Sequence, residues 1–186
     1  MRRYAVIYAD PPWRYSDKRH GFGGAEDHYS TMALEDIKAI AVPAMDDCAL
    51  FMWATMPLLP QAFEVLGAWG FKFKTSAFTW VKQNKSGVGF VTGLGFWTRS
   101  NTELCLLATR GRPRPVSHRV HSVVVAPRTR HSQKPDEVRR RIVELLGRRG
   151  PAQLCKLLRL SAHKPAAQPP TQLHDNTATY RMRVVG

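Results

Sequence analysis

The sequence predicts an α/β fold built on a mainly parallel sheet. Short, near-continuously apolar runs of strand length recur along the chain, and stretches of helical periodicity separate them. The first such run ends in Asp10-Pro11-Pro12-Trp13, at the carboxyl end of a strand, where sheets of this class bind ligands. The 186 residues suffice for one domain with a sizeable core, and an apolar fraction of 44% is ordinary for a globular chain.

Residues 3–9 read as a strand covered on both faces. Residues 14–31 are polar and contain Gly21, Gly23 and Gly24, which predicts a loop. Residues 34–41 put Leu34, Ile37 and Ile40 on one helical face, with Glu35 and Asp36 in the first turn. A second buried strand is expected over 49–54. A helix over 58–68 follows, ended by Gly67 or Gly70. Residues 71–81 alternate as a third strand. Residues 82–95 are rich in Lys and Gly and predict a loop. Residues 103–109 form a fourth strand candidate and 122–125 a short fifth. Pro135, Asp136 and Glu137 are start signals for a last helix, which Val138, Ile142, Leu145 and Leu146 continue on one face.

Composition changes after Gly147. Residues 148–186 hold one acid, Asp175, and several prolines, which divides the chain into 1–147 as the domain and 148–186 as a basic, disordered tail, with a short basic helix at 154–160.

Lys plus Arg number 28 against 14 Asp plus Glu, a formal charge of +14, which favours a polyanionic partner such as DNA or RNA. Cys48, Cys105 and Cys155 lack zinc-site or disulfide spacing, so no metal is expected. No signal peptide or membrane span is read, and the expected location is cytoplasmic, with no membrane partner.

Asp10-Pro11-Pro12-Trp13 suits the handling of an exocyclic amine. Such a nitrogen is a poor nucleophile because its lone pair is delocalised into the ring. Two acceptors on its N–H bonds favour the tetrahedral geometry needed for methyl transfer and stabilise the developing positive charge. Asp10 can be one acceptor and the Pro11 carbonyl the other, while Pro11 and Pro12 form a stiff frame. Trp13, with Tyr15, can stack on the base. The bland alternative is a strand ending in a proline turn, with Trp13 in the core.

From Tyr4 to about Gly147 the chain resembles the DPPW-type adenine-N6 methyltransferases. The likeness rests on Tyr8 to Trp13, Phe51-Met52-Trp53-Ala54-Thr55, Gly95 to Glu103, Arg110-Gly111-Arg112-Pro113 and His131 to Glu137, in that order. The resemblance implies a Rossmann-like fold that uses S-adenosylmethionine, permuted so that the catalytic strand comes first. It implies that Asp10 and Pro11 hold the target amine and that Asp10 also touches the cofactor's amino group. Lys134 resembles the lysine that meets the methionine carboxylate, with His131 and Ser132 as adjacent cofactor-binding candidates. A carboxylate beside an ammonium and a helix start is also physically sound. Arg99, Asn101 and Glu103 fall in the family's substrate-side segment: Arg99 for a phosphate, Asn101 for a base edge, and Glu103 for the reaction centre or for pairing with an arginine. Trp53 is expected in the core. Arg14, Lys18, Arg19, His20, Lys82 and Lys85 are candidates for a phosphate-contacting rim around a flipped base.

After Gly147 the chain lacks the family's Phe-Ala-Arg and Gly-Asn-Glu type segments, which predicts loss of the last core strand and its cofactor contacts. Three functions therefore stay open: a DNA adenine methyltransferase, an RNA one, and a relative that binds nucleic acid without methylating it. A partner subunit and a homodimer are equally open.

Overall fold

The computed structural model describes residues 3–14, 31–93, 95, 97–129, 133–147 and 157–159. Among these, six strands form one sheet: β1 (Tyr4–Asp10), β2 (Ala44–Ala54), β3 (Lys72–Gln83), β4 (Thr102–Arg110), β5 (Val123–Pro127) and β6 (Leu157–Arg159). Their order is β5-β3-β4-β2-β1-β6. Strand β1 runs parallel to β2 and β6, and β3 runs parallel to β5. Strand β4 is antiparallel to both β2 and β3. Five strands therefore share one direction and β4 alone is reversed.

Three helices flank the sheet: α1 (Leu34–Lys38), α2 (Leu59–Ala68) and α3 (Asp136–Leu146). The two-residue alternation of the strands divides the core between the sheet's faces. Ile7 and Ala9 of β1 and Leu50 and Met52 of β2 pack with Ile37 of α1 and Ala62, Val65 and Leu66 of α2. Val6 and Tyr8, with Phe51 and Trp53, pack on the other face with Phe78, Trp80, Val124 and the Val138, Ile142 and Leu146 ridge of α3. The result is a helix–sheet–helix sandwich. Trp69 ties α1 to α2 by donating its indole N–H to the Ile37 carbonyl at 2.9 Å.

Several sequence expectations shift. Strand β2 begins at Ala44, β3 runs on to Gln83, and α1 stops at Lys38. Gly67 lies inside α2, while Gly70, with φ of 74°, makes the turn after it. Pro135 is the residue before the first helical turn of α3, not the first within it. The short helix expected over 154–160 is not formed at 157–159, which are strand. Nor is the flank of β1 bare, as the loss of a last core strand would leave it: Tyr8, Ala9 and Asp10 pair with Leu157, Leu158 and Arg159. Strand pairing there satisfies backbone groups that a helix beside β1 would leave open.

Candidate active site

Strand direction and parity bring the site together. Asp10 ends β1, Trp53 lies near the end of β2, and Lys82 lies near the end of β3. Glu103 lies near the start of β4, and because β4 is reversed its start meets the same rim. Asp10 follows Tyr8 by two residues, Lys82 follows Trp80, and Glu103 precedes Cys105. Tyr8, Trp53, Trp80 and Cys105 all belong to the core beneath α3. Period-two alternation therefore aims Asp10, Lys82 and Glu103 to the face that α3 covers. Lys134 enters it from just before α3.

These side chains form a chain of alternating charge. Lys134 Nζ lies 2.9 Å from Asp10 Oδ1 and 3.0 Å from Oδ2. It is also 3.5 Å from Glu103 Oε2, and Lys82 Nζ is 2.8 Å from Glu103 Oε1. Asp10 and Lys134 are each 12% exposed, Glu103 15% and Lys82 20%. Burial opposes the charge of Glu103, but Lys134 and then Lys82 outweigh it and hold its carboxyl below the ordinary value. Glu103 Oε2 is buried and makes no hydrogen bond among the described residues.

An aromatic floor underlies the charges. Lys134 Nζ is 5.6 Å from the centre of a Trp53 ring, and Lys82 Nζ is 5.2 Å from Trp80. The two indoles meet edge to face at 6.3 Å. Trp53 donates its N–H to the Tyr8 hydroxyl at 2.7 Å, and Trp80 donates to the Ala126 carbonyl at 2.9 Å.

The turn after β1 is tight. The Trp13 backbone N–H donates to the Pro11 carbonyl at 2.9 Å, and Met32 N–H donates to the Pro12 carbonyl at 2.9 Å. The Pro11 oxygen has a second lone pair for another donor. Trp13 is buried with the α1–α2 side of the core, and its indole N–H donates to the Trp53 carbonyl at 3.0 Å. It anchors the turn to the end of β2, which is the packing role set beside base stacking in the sequence.

The remaining sequence candidates separate into three groups. Tyr15, His131, Ser132, Lys18, Arg19 and His20 lie outside the described residues. Arg99 is exposed, and Asn101 is partly buried with its carbonyl accepting from Lys82 N–H at 2.8 Å. Glu103 pairs with lysines, not with an arginine. Lys82, expected in the loop as a phosphate-contacting rim residue, is instead part of β3 and engaged with Glu103. Its alternation with Phe78 and Trp80 was the available signal.

Comparison with known proteins yields a consistent picture. A family model described as MT-A70 matches residues 4–165, which reaches past Gly147 and includes β6. The chain is 35% identical over 155 residues to the type II methyltransferase M.MunI of Mycoplasma sp, covering 72% of this chain and 64% of that protein. It is 31% identical over 141 residues to an N(6)-adenosine-methyltransferase MT-A70-like protein of Drosophila melanogaster, covering 74% of this chain and 22% of the relative. A probable N(6)-adenosine-methyltransferase MT-A70-like protein of Oryza sativa subsp. japonica is 32% identical over 140 residues, covering 74% and 19%. The chain thus spans less than two thirds of each of these relatives.

Proposed function

The chain belongs to the MT-A70 family, and from that membership we propose that it transfers a methyl group from S-adenosylmethionine to the N6 amine of adenine in nucleic acid. DNA is put first, on the similarity to a type II methyltransferase, and RNA second, on the similarity to adenosine methyltransferases. The carrying observation is the Asp10–Lys134 pair at the rim of the sheet.

The residues present fit the cofactor. An α-amino acid end is a zwitterion, and a carboxylate 2.9 Å from an ammonium is its charge complement. Lys134 would hold the carboxylate and Asp10 the amino group; His131 and Ser132, also carried by the resemblance, adjoin Lys134 in sequence. S-adenosylmethionine supplies an electrophilic methyl group on a sulfonium. Asp10 accepts one N–H of the target amine, and the Pro11 carbonyl accepts the other through its second lone pair. The Asp10 charge stabilises the positive charge that develops on nitrogen. No strong base is required beforehand, because the nitrogen becomes acidic once methylated. Pro11, Pro12 and Trp13 keep the two acceptors fixed.

The sheet order, with β1 beside β6 and β4 alone reversed, supports a Rossmann-like arrangement permuted to begin with the catalytic strand. The catalytic unit is then residues 1–147 completed by β6. The excess of 28 basic over 14 acidic residues supports a phosphate-bearing substrate, with Arg99 at its backbone. The buried free thiols of Cys48 and Cys105 are compatible with a reducing, cytoplasmic setting. Calorimetry with S-adenosylmethionine and a methylation assay on adenine-containing oligonucleotides test the proposal. Binding and transfer are expected; absence of binding at millimolar cofactor leaves the non-methylating nucleic-acid binder.

A further inference from the structure

We propose that Lys82 is a positioning residue for cofactor capture: it is the permanent counter-ion of Glu103, so that Lys134 can leave Glu103 for an incoming carboxylate. The inference rests on the reading that Lys134 receives the carboxylate of S-adenosylmethionine.

Glu103 lies between two ammonium groups that are not equivalent. Lys82 is hydrogen-bonded to Oε1 at 2.8 Å, whereas Lys134 stands 3.5 Å from Oε2, which makes no hydrogen bond among the described residues. Lys82 is also fixed by its own backbone. Its N–H donates to the Asn101 carbonyl at 2.8 Å, and its carbonyl accepts from Val91 N–H at 2.8 Å. Lys134 lies on the segment leading into α3 and is already engaged with Asp10.

The surroundings make this asymmetry consequential. Both ammoniums lie over indoles, and Glu103 is mostly buried above them. A carboxylate stripped of its counter-ions there would be costly. With Lys82 present, moving Lys134 to another anion leaves Glu103 paired. Without Lys82, the same movement leaves a buried charge alone, and Glu103 would retain Lys134.

The test is calorimetric titration of wild type, K82M, E103Q and K82M/E103Q with S-adenosylmethionine in the absence of nucleic acid, with melting curves as a folding control. K82M is expected to weaken binding about tenfold, as removal of one partner of a buried pair does when part of the penalty is relieved by solvent. In the E103Q background the same substitution should change binding by less than about twofold, since the amide makes no claim on Lys134. K82R should recover most of the K82M loss. Should K82M prove unfolded, K82Q, which is uncharged but can still donate to Glu103, is expected to show the same coupled loss. Wild-type affinity in K82M, or an equal loss in both backgrounds, overturns the inference while leaving the proposed function standing. A wild-type chain that takes up no cofactor overturns both.

Discussion

Lys134 Nζ lies 2.9 Å from Asp10 Oδ1, joining residues 124 positions apart in the chain. The contact links the end of the first strand to the entrance of the last helix. It sets the candidate amine acceptor against the candidate carboxylate receptor, so substitutions at either end should be separable by what they impair.

Asp10→Asn should reduce methyl transfer by at least about 10²-fold, because a neutral amide cannot stabilise positive charge on the attacking nitrogen. Its melting temperature should change little, since Lys134 retains Glu103 as a neighbour. A radiolabel transfer assay beside calorimetric melting measures both. An Asp10→Asn protein that methylates like wild type would remove Asp10 from the chemistry.

Lys134→Met should act on cofactor affinity, raising Kd by about tenfold or more, the order expected on losing a charge-assisted contact. Nucleic-acid binding measured by fluorescence anisotropy should be nearly unchanged. A variant with normal cofactor affinity and weakened nucleic-acid binding would reverse the assignment.

Trp13→Phe replaces the buried indole by a smaller phenyl ring and removes the N–H whose bond the Trp53 carbonyl accepts. The unsatisfied carbonyl alone should cost about 1–3 kcal/mol, and the void left by the smaller ring adds to it. Urea denaturation reads this directly. A change within error would mean that the bond does not anchor the turn.

The depressed carboxyl of Glu103 predicts an acid limb in stability. Its folded value lies below the ordinary 4.5, so the unfolded chain takes up the proton first as pH falls. The stabilising contribution is full above the unfolded value and is lost as pH drops through the folded one. In E103Q this contribution is absent, so the gap between wild type and variant should be constant near neutrality and close below about pH 4.5. Denaturation midpoints across pH 3–7 check the shape.

Gly111→Ala should destabilise the chain by about 2 kcal/mol or more, since alanine is strained in a left-handed backbone conformation. Gly111 has φ of 61°, and a Cβ there would run into the Asp46 carbonyl and the Asp47 carboxylate. A thermal scan showing an unchanged midpoint would contradict the close approach.

The strands and helices were legible because their apolar residues recur at two- and three-to-four-residue spacing; Asp10 was legible as a candidate from its own motif at a strand end, and Lys134 and Glu103 by resemblance. Strand direction was not. Nothing in Thr102–Arg110 announces a reversed strand, since alternation reads alike in both directions. Lys82 was obscured because the glycine-rich segment after it drew the expected loop start two residues early. Leu157–Arg159 carries too short an apolar run to announce a strand; its pairing depends on the edge offered by Tyr8, Ala9 and Asp10.

The segment between β3 and β4 departs from Lys82 and returns at Glu103, so the ion pair between them fastens both ends of one hairpin-like excursion. Such a clasp works as a closure at the foot of the connection. Substitution along the described part of the excursion, including the fully exposed Trp97, leaves that closure and the two strand ends it joins untouched.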